Sequence, residues 1–211
     1  MAMGLVERDG ELDALGQALT AAGRGDGRVV LVTGEAGIGK TSVVRALVAS
    51  LPPSVRVLAG SCDDLITPRT LGPLRDAVAG TDTPLARALA AGARDDVYDS
   101  VLDELSRDAP TLLVVEDVHW ADDGTLDVLR FVSGRVHSLP TVLLLTLRDP
   151  AGPPSSALGQ LLAALAGRPV VRLMLPPLSP AGVRSLSGGR QDARRLYELT
   201  GGNPFYVTEA L

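Results

Sequence analysis

Short runs rich in Val and Leu recur along the chain, and longer stretches with helical spacing of apolar residues separate them. A run of this length and β-branched content is typical of a strand that is buried on both faces. Such strands, when they alternate with helices, predict an α/β fold: a five-stranded parallel sheet with helices on both faces. The runs are RVVLVTG at 28–34, VRVLAG at 55–60, TLLVVED at 111–117, TVLLLTLR at 141–148 and PVVRLML at 169–175.

The segments between these runs predict the helices. In the first segment, 5–23, Leu12, Leu15 and Leu19 recur at helical spacing before a glycine-rich stretch. The other predicted helices cover about 39–50, 71–79, 95–107, 122–136 and 156–166. After Pro176 the composition changes to small polar and helical segments without strands. We therefore expect a domain boundary there, between a larger domain, 1–176, and a smaller unit, 177–211.

Charge and cysteine content narrow the possible functions. The net charge of -5 argues against a basic surface that wraps nucleic acid, so we expect no direct nucleic-acid binding by this chain. Cys62 is the single cysteine, which excludes an internal disulfide and favours a reducing, cytoplasmic location. The N-terminal residues lack the pattern of a signal peptide. No segment has the roughly 18 consecutive apolar residues of a membrane span, so no membrane partner is expected.

The strongest chemical signal follows the first predicted strand, where GEAGIGKT matches G-x-x-x-x-G-K-[ST] at every fixed position. The glycines let several backbone N–H groups face one anion at the positive end of a helix. A glycine-rich turn that binds nothing would not need Lys and Thr directly after its last glycine. Lys40 is also the single lysine among 20 basic residues. We predict that the phosphates of a nucleotide contact Gly34, Glu35, Ala36, Gly37, Ile38, Gly39, Lys40, Thr41 and Ser42.

Within that loop, Lys40 is expected to reach the β- and γ-phosphates, and the Thr41 hydroxyl is expected to ligate Mg²⁺. The second requirement of a magnesium nucleotide is a carboxylate on a neighbouring strand, and LLVVED ends in Glu116 and Asp117. We assign Glu116 to Mg²⁺ or its water and Asp117 to the attacking water. Both acids remain candidates for the metal.

Further candidates lie near these acids in the sequence. Arg148 ends the fourth run, where its guanidinium would contact the γ-phosphate and distinguish ATP from ADP, unless it is a strand-end arginine in solvent. The catalytic candidates are therefore Asp117, Glu116, Lys40 and Arg148. His119 and Trp120 either pack against the next helix or take part in phosphate sensing. Arg130 is a candidate arginine finger that acts in trans, although a solvated helix face is the simpler interpretation.

Several motifs together resemble those of one family. The opening LVERDGEL resembles the V-x-R-x-x-E-L entry of STAND-class ATPases, which are signal-transduction ATPases with numerous domains. The segments VVEDVHWADDGTLDVL, LLLTLRDP and LTGGNPFYVTEAL, with GSCDDLITPRTLGPLRDAV before them, are similar to the large ATP-binding regulators of the LuxR type. The resemblance extends from Leu5 to Leu211. It implies a P-loop NTPase fold of the ASCE, AAA-like kind, with ATP or ADP and Mg²⁺ as ligands.

The resemblance also implies features that the residues alone do not. In that family a small helical lid follows the core, and 177–211 resembles part of one. Pro204 matches the proline that lies against the adenine, and Val6 and Arg8 would close over the base from the other side. Family members continue into a helical sensor region and a C-terminal helix-turn-helix. The resemblance therefore implies that this chain is a fragment whose DNA-binding parts lie elsewhere, and that it self-associates or binds regulatory proteins.

Three functions are weighed on these grounds. The leading hypothesis is an ATP-dependent regulatory switch with slow hydrolysis. A small-molecule kinase is the second, with an acceptor held by arginines of the 61–96 segment: Arg69, Arg75, Arg87 and Arg94. A ring-forming motor or loader ATPase is the third, and it would depend on Arg130 and on protein concentration.

Overall fold

The apolar runs form the strands of one parallel sheet. In the computed structural model, which describes residues 5–107, 109–148, 156–189 and 192–211, the sheet has the strand order β2-β3-β4-β1-β5. Every neighbouring pair of strands is parallel, as the apolar character predicts. The strands are β1 (Arg28–Thr33), β2 (Arg56–Ser61), β3 (Thr111–Glu116), β4 (Thr141–Leu147) and β5 (Val170–Met174). The predicted α/β fold with a five-stranded parallel sheet is confirmed.

The register of the central strands brings the predicted site residues to one edge. Thr33, at the end of β1, is paired with Leu147 of β4, so the loop after β1 lies beside Arg148. Val115 is paired with Leu145, which places the acids that follow β3 next to the same end of β4. Ligands bind at this carboxyl edge in open α/β sheets.

The helices agree with the periodicity except between β2 and β3. There the predicted helix at 71–79 is shorter, and a helix that the sequence did not indicate, α4, follows it. Pro84 begins α4, and the Thr83 side chain accepts a hydrogen bond from the Ala86 amide at 3.2 Å as its N-cap. The helices are α1 (Asp9–Ala22), α2 (Lys40–Ser50), α3 (Gly72–Ala77), α4 (Pro84–Ala91), α5 (Arg94–Leu105), α6 (Asp123–Ser133), α7 (Ser156–Ala166), α8 (Pro180–Leu186), α9 (Ala193–Thr200) and α10 (Pro204–Glu209).

Alternate residues of each central strand supply two apolar cores, one on each face of the sheet. In β1, Val29 and Leu31 pack into the core beneath α3 to α7, whereas Val30 and Val32 pack with α1 and α2. Because both faces are covered, β1, β3 and β4 are buried except at end positions, whereas β2 and β5 at the edges of the sheet are partly exposed. Among the described residues, no helix is long and apolar enough to cross a membrane.

Helices α8, α9 and α10 follow β5 and pack around a third, smaller apolar cluster. Its buried members are Leu178, Val183, Leu196 and Val207, and Val6 from the N-terminal segment packs against them. The chain before α1 thus contacts the helices at the other end of the sequence. This contact brings both ends of the sequence close to the carboxyl edge of the sheet.

Candidate functional site

The loop between β1 and α2 has the backbone geometry of a phosphate cradle. Gly37 and Gly39 have φ values of 75° and 101°, in the left-handed region that favours glycine. Gly39 is the N-cap of α2, and Lys40 begins the helix. The first N–H groups of a helix have no partner within it, so this end of α2 offers donors to an anion.

Lys40 is held inside this loop. Its side chain is 7% exposed, and Nζ donates hydrogen bonds to the Gly34 carbonyl at 2.8 Å and the Glu35 carbonyl at 2.9 Å. Burial of an ammonium group is costly unless such partners satisfy it. The loop therefore fixes its one cation close to the cradle, where a polyphosphate would be neutralised.

A cavity of about 400 Å³ opens over this loop, which is within the usual size of a small-molecule site. The loop, Asp117 and Arg148 supply the polar part of the lining. The apolar part comes mostly from the N-terminal segment, Leu178, α8 and α10. Its lining residues are Leu5, Val6, Arg8, Ala36, Gly37, Ile38, Gly39, Lys40, Thr41, Ser42, Asp117, Arg148, Leu178, Leu186, Pro204, Phe205 and Thr208.

Most of the predicted site residues therefore meet in one cavity. Gly34, Glu35 and Glu116 do not line it. The carbonyls of Gly34 and Glu35 hold Lys40, and Glu116 contacts Thr41. Val6, Arg8 and Pro204 line the same cavity as the phosphate loop. The sequence did not indicate Leu178, Leu186 or Thr208, because isolated apolar and small residues in connections and short helices carry no motif.

The two acids after β3 occupy different positions. Glu116 accepts a hydrogen bond from the Thr41 hydroxyl at 2.5 Å. Asp117 has φ 54° in the left-handed region, and its amide donates to the Thr146 hydroxyl at 2.8 Å. This backbone turn separates the directions of the two neighbouring carboxylates, and Asp117 lines the cavity.

A hydroxyl and a carboxylate in contact, at the edge of a phosphate cradle, form a donor set that suits Mg²⁺. Magnesium usually takes one or two protein oxygens and completes its shell with phosphate and water. The described residues contain no group of three or more acidic, His or Cys side chains that would bind a metal alone. Thr41 and Glu116 fit a metal that arrives with a nucleotide.

His119 follows Asp117 by two residues, and its side chain is mostly buried. Both ring nitrogens are buried and have no hydrogen-bond partner among the described residues, and Nδ1 is 3.9 Å from Asp117 Oδ1. Burial lowers the pKa of His119; the charges of Arg148 and Lys40 lower it further, while Asp117 acts in the opposite direction. The imidazole is therefore neutral near pH 7. Trp120 packs against the larger core, and the Arg148 guanidinium carbon is 5.8 Å from its ring centroid.

The loop also contacts α10 directly, which the sequence did not indicate. The Asn203 side-chain amide donates to the Ala36 carbonyl at 2.9 Å, and the Phe205 amide donates to the Gly37 carbonyl at 3.2 Å. The approach is so close that a Cβ at Gly37 would be 2.6 Å from Phe205 Cβ. The one sequence signal was the asparagine of GGNPFY, which precedes a proline in the position of a helix N-cap.

Replacing Gly37 with alanine is expected to separate α10 from the loop. Ala would be strained at φ 75°, and its methyl group would collide with Phe205 and Asn203. We expect a loss of about 1–3 kcal/mol in unfolding free energy, measured by urea denaturation, and faster proteolysis of the segment after β5. Gly80→Ala is a matched control, since Gly80 has the same φ of 75° but nothing within 4 Å of its Cβ position. Equal protease sensitivity in the two variants would contradict this steric explanation.

The N-terminal segment is tied to the same region. Arg8 is buried, and its guanidinium donates to the Pro176 carbonyl at 2.7 Å and, at 3.4 Å, to the Ile38 carbonyl. The Glu7 carboxylate accepts hydrogen bonds from Ser179, which lower the pKa of Glu7. Arg8 therefore joins the phosphate loop to the connection after β5.

The arginines proposed for a kinase acceptor are engaged elsewhere. Arg69 pairs with Asp63 and Asp76, Arg87 with Asp82, and Arg94 with Asp127. Arg75 donates to the Thr70 carbonyl. The cavity lining contains none of the four within the described ranges. Arg130 donates to Gln160 on the neighbouring helix and is exposed.

The fold and this loop define a P-loop nucleotide-binding protein. The chain belongs to the AAA ATPase domain family, whose model matches residues 4–145. Proteins of this family generally bind nucleotide with Mg²⁺. The match includes the phosphate loop, both acids and most of β4, but not the helices after β5.

Solved structures with this fold have low sequence identity. The ORC1 protein of Aeropyrum pernix, solved in complex with DNA, is 20% identical with a TM-score of 0.60, over 97% of this chain and 58% of that one. Cdc6p of Pyrobaculum aerophilum is 16% identical with a TM-score of 0.61, over 90% and 50% of the two chains. The STAND protein PH0952 of Pyrococcus horikoshii, which has a tetratricopeptide repeat sensor, is 19% identical with a TM-score of 0.51, over 90% and 28%.

A curated relative indicates the size of related proteins. An uncharacterized protein of Rhizobium meliloti, R02095, is 29% identical over 88% of this chain. The aligned region is 24% of that protein, and the chain spans little more than half of the ORC1 structure.

Proposed function

We propose that this chain is an ATP- and magnesium-binding switch that hydrolyses ATP slowly and reports its nucleotide state to a larger regulator. The observation that carries the proposal is a cavity lined by both the phosphate loop and α10. A nucleotide in this cavity would contact both parts. The free energy of binding would therefore depend on how the two parts are arranged, which is the requirement for a switch.

In this proposal the base lies against the apolar part of the cavity lining, between Pro204 and the segment that contains Val6 and Arg8. The triphosphate lies along the loop from Gly34 to Ser42, and Lys40 exchanges its carbonyl partners for β- and γ-phosphate oxygens. An ammonium on a flexible chain suits this exchange. Arg148 contacts the γ-phosphate and so distinguishes ATP from ADP. Lys40 and Arg148 together would then determine how the affinity depends on the number of phosphates.

For hydrolysis we assign separate roles to the acids. Thr41 and Glu116 hold Mg²⁺, which when bound would neutralise charge on the phosphate oxygens. Asp117 accepts a proton from the water that attacks the γ-phosphorus, as the oxygen bridging to the β-phosphate leaves. The buried, neutral imidazole of His119 adds no positive charge next to Asp117.

We further propose that 177–211 is part of a helical lid on a nucleotide-binding domain of 1–176. Its separate apolar cluster supports this division, because a unit with its own small core can move as a body. Motion at Pro176 would change the contacts of Arg8 and of Asn203 with the phosphate loop.

The context of a larger regulator rests on the LuxR-type resemblance and on the length of the relative. We propose a cytoplasmic protein in which the chain self-associates or contacts regulatory domains, with any DNA-binding part outside it. A ring-forming loader is the second candidate, which the ORC1 and Cdc6p folds favour. It predicts ATPase activity that rises steeply with protein concentration and falls in Arg130→Ala.

Calorimetric titration of the chain with ATP, ADP and GTP, each with and without Mg²⁺, tests the proposal. We expect ATP and ADP to bind, ATP to gain from Mg²⁺, and GTP to bind at least about tenfold more weakly, a difference of about 1.4 kcal/mol. Folded protein that binds none of the three would overturn the proposed function. Turnover that depends on an added phosphate acceptor would instead favour a kinase.

A further inference from the structure

Five consecutive carbonyls of the phosphate loop each accept a hydrogen bond from a named donor. Lys40 supplies the donor for the first two, and the other three donors lie outside the loop. These bonds are Lys40 Nζ to Gly34 and Glu35, Asn203 Nδ2 to Ala36, the Phe205 amide to Gly37, and Arg8 Nη2 to Ile38. The loop is thus held on its carbonyl side by α10 and by the N-terminal segment.

Because the peptide bond is planar, these contacts at the carbonyls also affect the amide groups that would face a phosphate. The carbonyl of Ala36 and the amide of Gly37 belong to one rigid unit, as do the carbonyl of Gly37 and the amide of Ile38. In a P-loop these amides are donors that cradle the phosphates. The Ile38 amide also donates to the Glu35 carbonyl, at 3.3 Å, whereas the Ala36–Gly37 peptide is held at its carbonyl by Asn203. A donor that fixes the carbonyl therefore also fixes the direction of the N–H on the opposite side.

Hydrogen bonds at the two ends of one peptide also strengthen each other. A donor on the carbonyl polarises the peptide and makes its N–H a better donor, and an anion on the N–H makes the carbonyl a better acceptor. The effect operates through the peptide itself and needs no movement of the loop. Contacts of α10 and of bound phosphate with the same peptides are consequently coupled, and such a coupling is reciprocal.

We propose that Asn203 is a positioning residue for the phosphates, which orients the Ala36–Gly37 peptide and couples the docking of α10 to phosphate binding. This inference rests on the proposed function, since it assumes that the loop binds a nucleotide. It goes further by assigning to α10 a contribution to phosphate affinity that is separate from any contact of Pro204 with the base.

The environment of Asn203 supports a specific role for its amide. The side chain is 4% exposed, and both of its polar atoms are used: Nδ2 donates to Ala36, and Oδ1 accepts from the Phe205 amide at 3.1 Å. The same Phe205 amide also donates to Gly37. One asparagine therefore caps α10 and aligns the two donors that reach successive peptides of the loop.

The variant Asn203→Ser isolates the donor. Serine is also a good N-cap, so the cap on α10 is kept, while the amide that reaches Ala36 is lost and no charge is introduced. We expect the affinities for Mg-ATP and for Mg-tripolyphosphate, which has no base, to fall by a similar factor of about ten, the effect of one well-placed hydrogen bond. Adenosine affinity, measured by competition, is expected to change less than about twofold.

Thr20→Val serves as the matched control, because it removes an exposed hydroxyl that donates to the Gly16 carbonyl inside α1 and leaves the cavity lining intact. It should leave tripolyphosphate affinity unchanged. If wild-type protein binds ATP and Asn203→Ser binds tripolyphosphate equally well, the inference is overturned while the proposed function stands. Equal losses for adenosine and ATP would also overturn it, because they would indicate a contact with the base. A wild-type protein that binds no polyphosphate would overturn both.

A measurement on the wild-type protein covers the case in which the variant does not fold. Hydrogen exchange of the Phe205 amide should slow on addition of Mg-tripolyphosphate, because the anion strengthens the Gly37 carbonyl as an acceptor. The Leu196 amide, which bonds within the lid to Asp192, is the internal control and should be unaffected. Unchanged exchange of Phe205 at saturating tripolyphosphate would contradict the coupling.

Discussion

Replacing Lys40 with alanine is expected to abolish measurable ATP binding. The ammonium is the one lysine of the chain and is buried next to the cradle, where it meets two carbonyls. Loss of hydrogen bonds from a charged donor to two phosphates would cost about 3 kcal/mol or more, which is at least about a hundredfold in affinity. Calorimetry with Mg-ATP measures this loss.

The control must separate lost affinity from lost structure, since Lys40 also holds the loop. Arg45→Ala removes a cation from an exposed position on the same helix, one turn further on, and should bind ATP as the wild type does. Lys40→Arg keeps the charge, yet we expect it to bind weakly, because a planar guanidinium does not fit a position shaped for an ammonium. ATP affinity within about threefold of wild type in folded Lys40→Ala would contradict the assigned role.

Sequence reasoning identified the parts of this site whose chemistry is local. The phosphate loop is eight consecutive residues between a strand and a helix, so a single window contains the whole signal. Glu116 and Asp117 could be found because buried parallel strands are apolar throughout, and the first acids mark where such a strand ends. The structure pairs β1 with β4, and this strand order, which the sequence analysis did not derive, places Arg148 near the loop.

The parts that sequence reasoning missed depend on contacts between distant residues. Asn203 and Ala36 are separated by 167 positions, and no periodicity relates them. The sequence contains both the glycine that permits the approach and the asparagine that makes it. However, Gly37 was grouped with the other glycines of the loop, although the motif fixes only Gly34 and Gly39, so its contact with α10 remained hidden. The steric contact with Phe205 shows that this glycine also admits α10.

The left-handed backbone of Asp117 is another feature that the sequence did not predict. Successive side chains of a strand point to opposite faces, so an acid pair at a strand end gives no indication of which acid enters the cavity. The turn at Asp117, where the backbone amide donates a hydrogen bond to the Thr146 hydroxyl, resolves this question in the structure. It leaves Glu116 with Thr41 and directs the next residue into the cavity.

Because the two acids occupy different positions, we expect their substitution to impair different functions, which is the second prediction of large effect. Glu116→Gln is expected to lose most of the gain in ATP affinity that Mg²⁺ provides, because an amide replaces the charged oxygen next to Thr41. Asp117→Asn is expected to bind Mg-ATP within about threefold of wild type but to hydrolyse it at least about a hundredfold more slowly, as expected for loss of a general base. Titrations with and without Mg²⁺ and single-turnover hydrolysis measure the two effects.

Asp123→Asn is the matched control for both variants, since it removes a carboxylate from an exposed position at the start of α6 and leaves the cavity lining intact. Its binding and hydrolysis should equal those of the wild type. The opposite pattern, in which Asp117→Asn loses the Mg²⁺ dependence and Glu116→Gln retains it, would reverse the assignment. In that case the contact between Thr41 and Glu116 would be a feature of the nucleotide-free loop, and Mg²⁺ would bind on the side of the cavity that Asp117 faces.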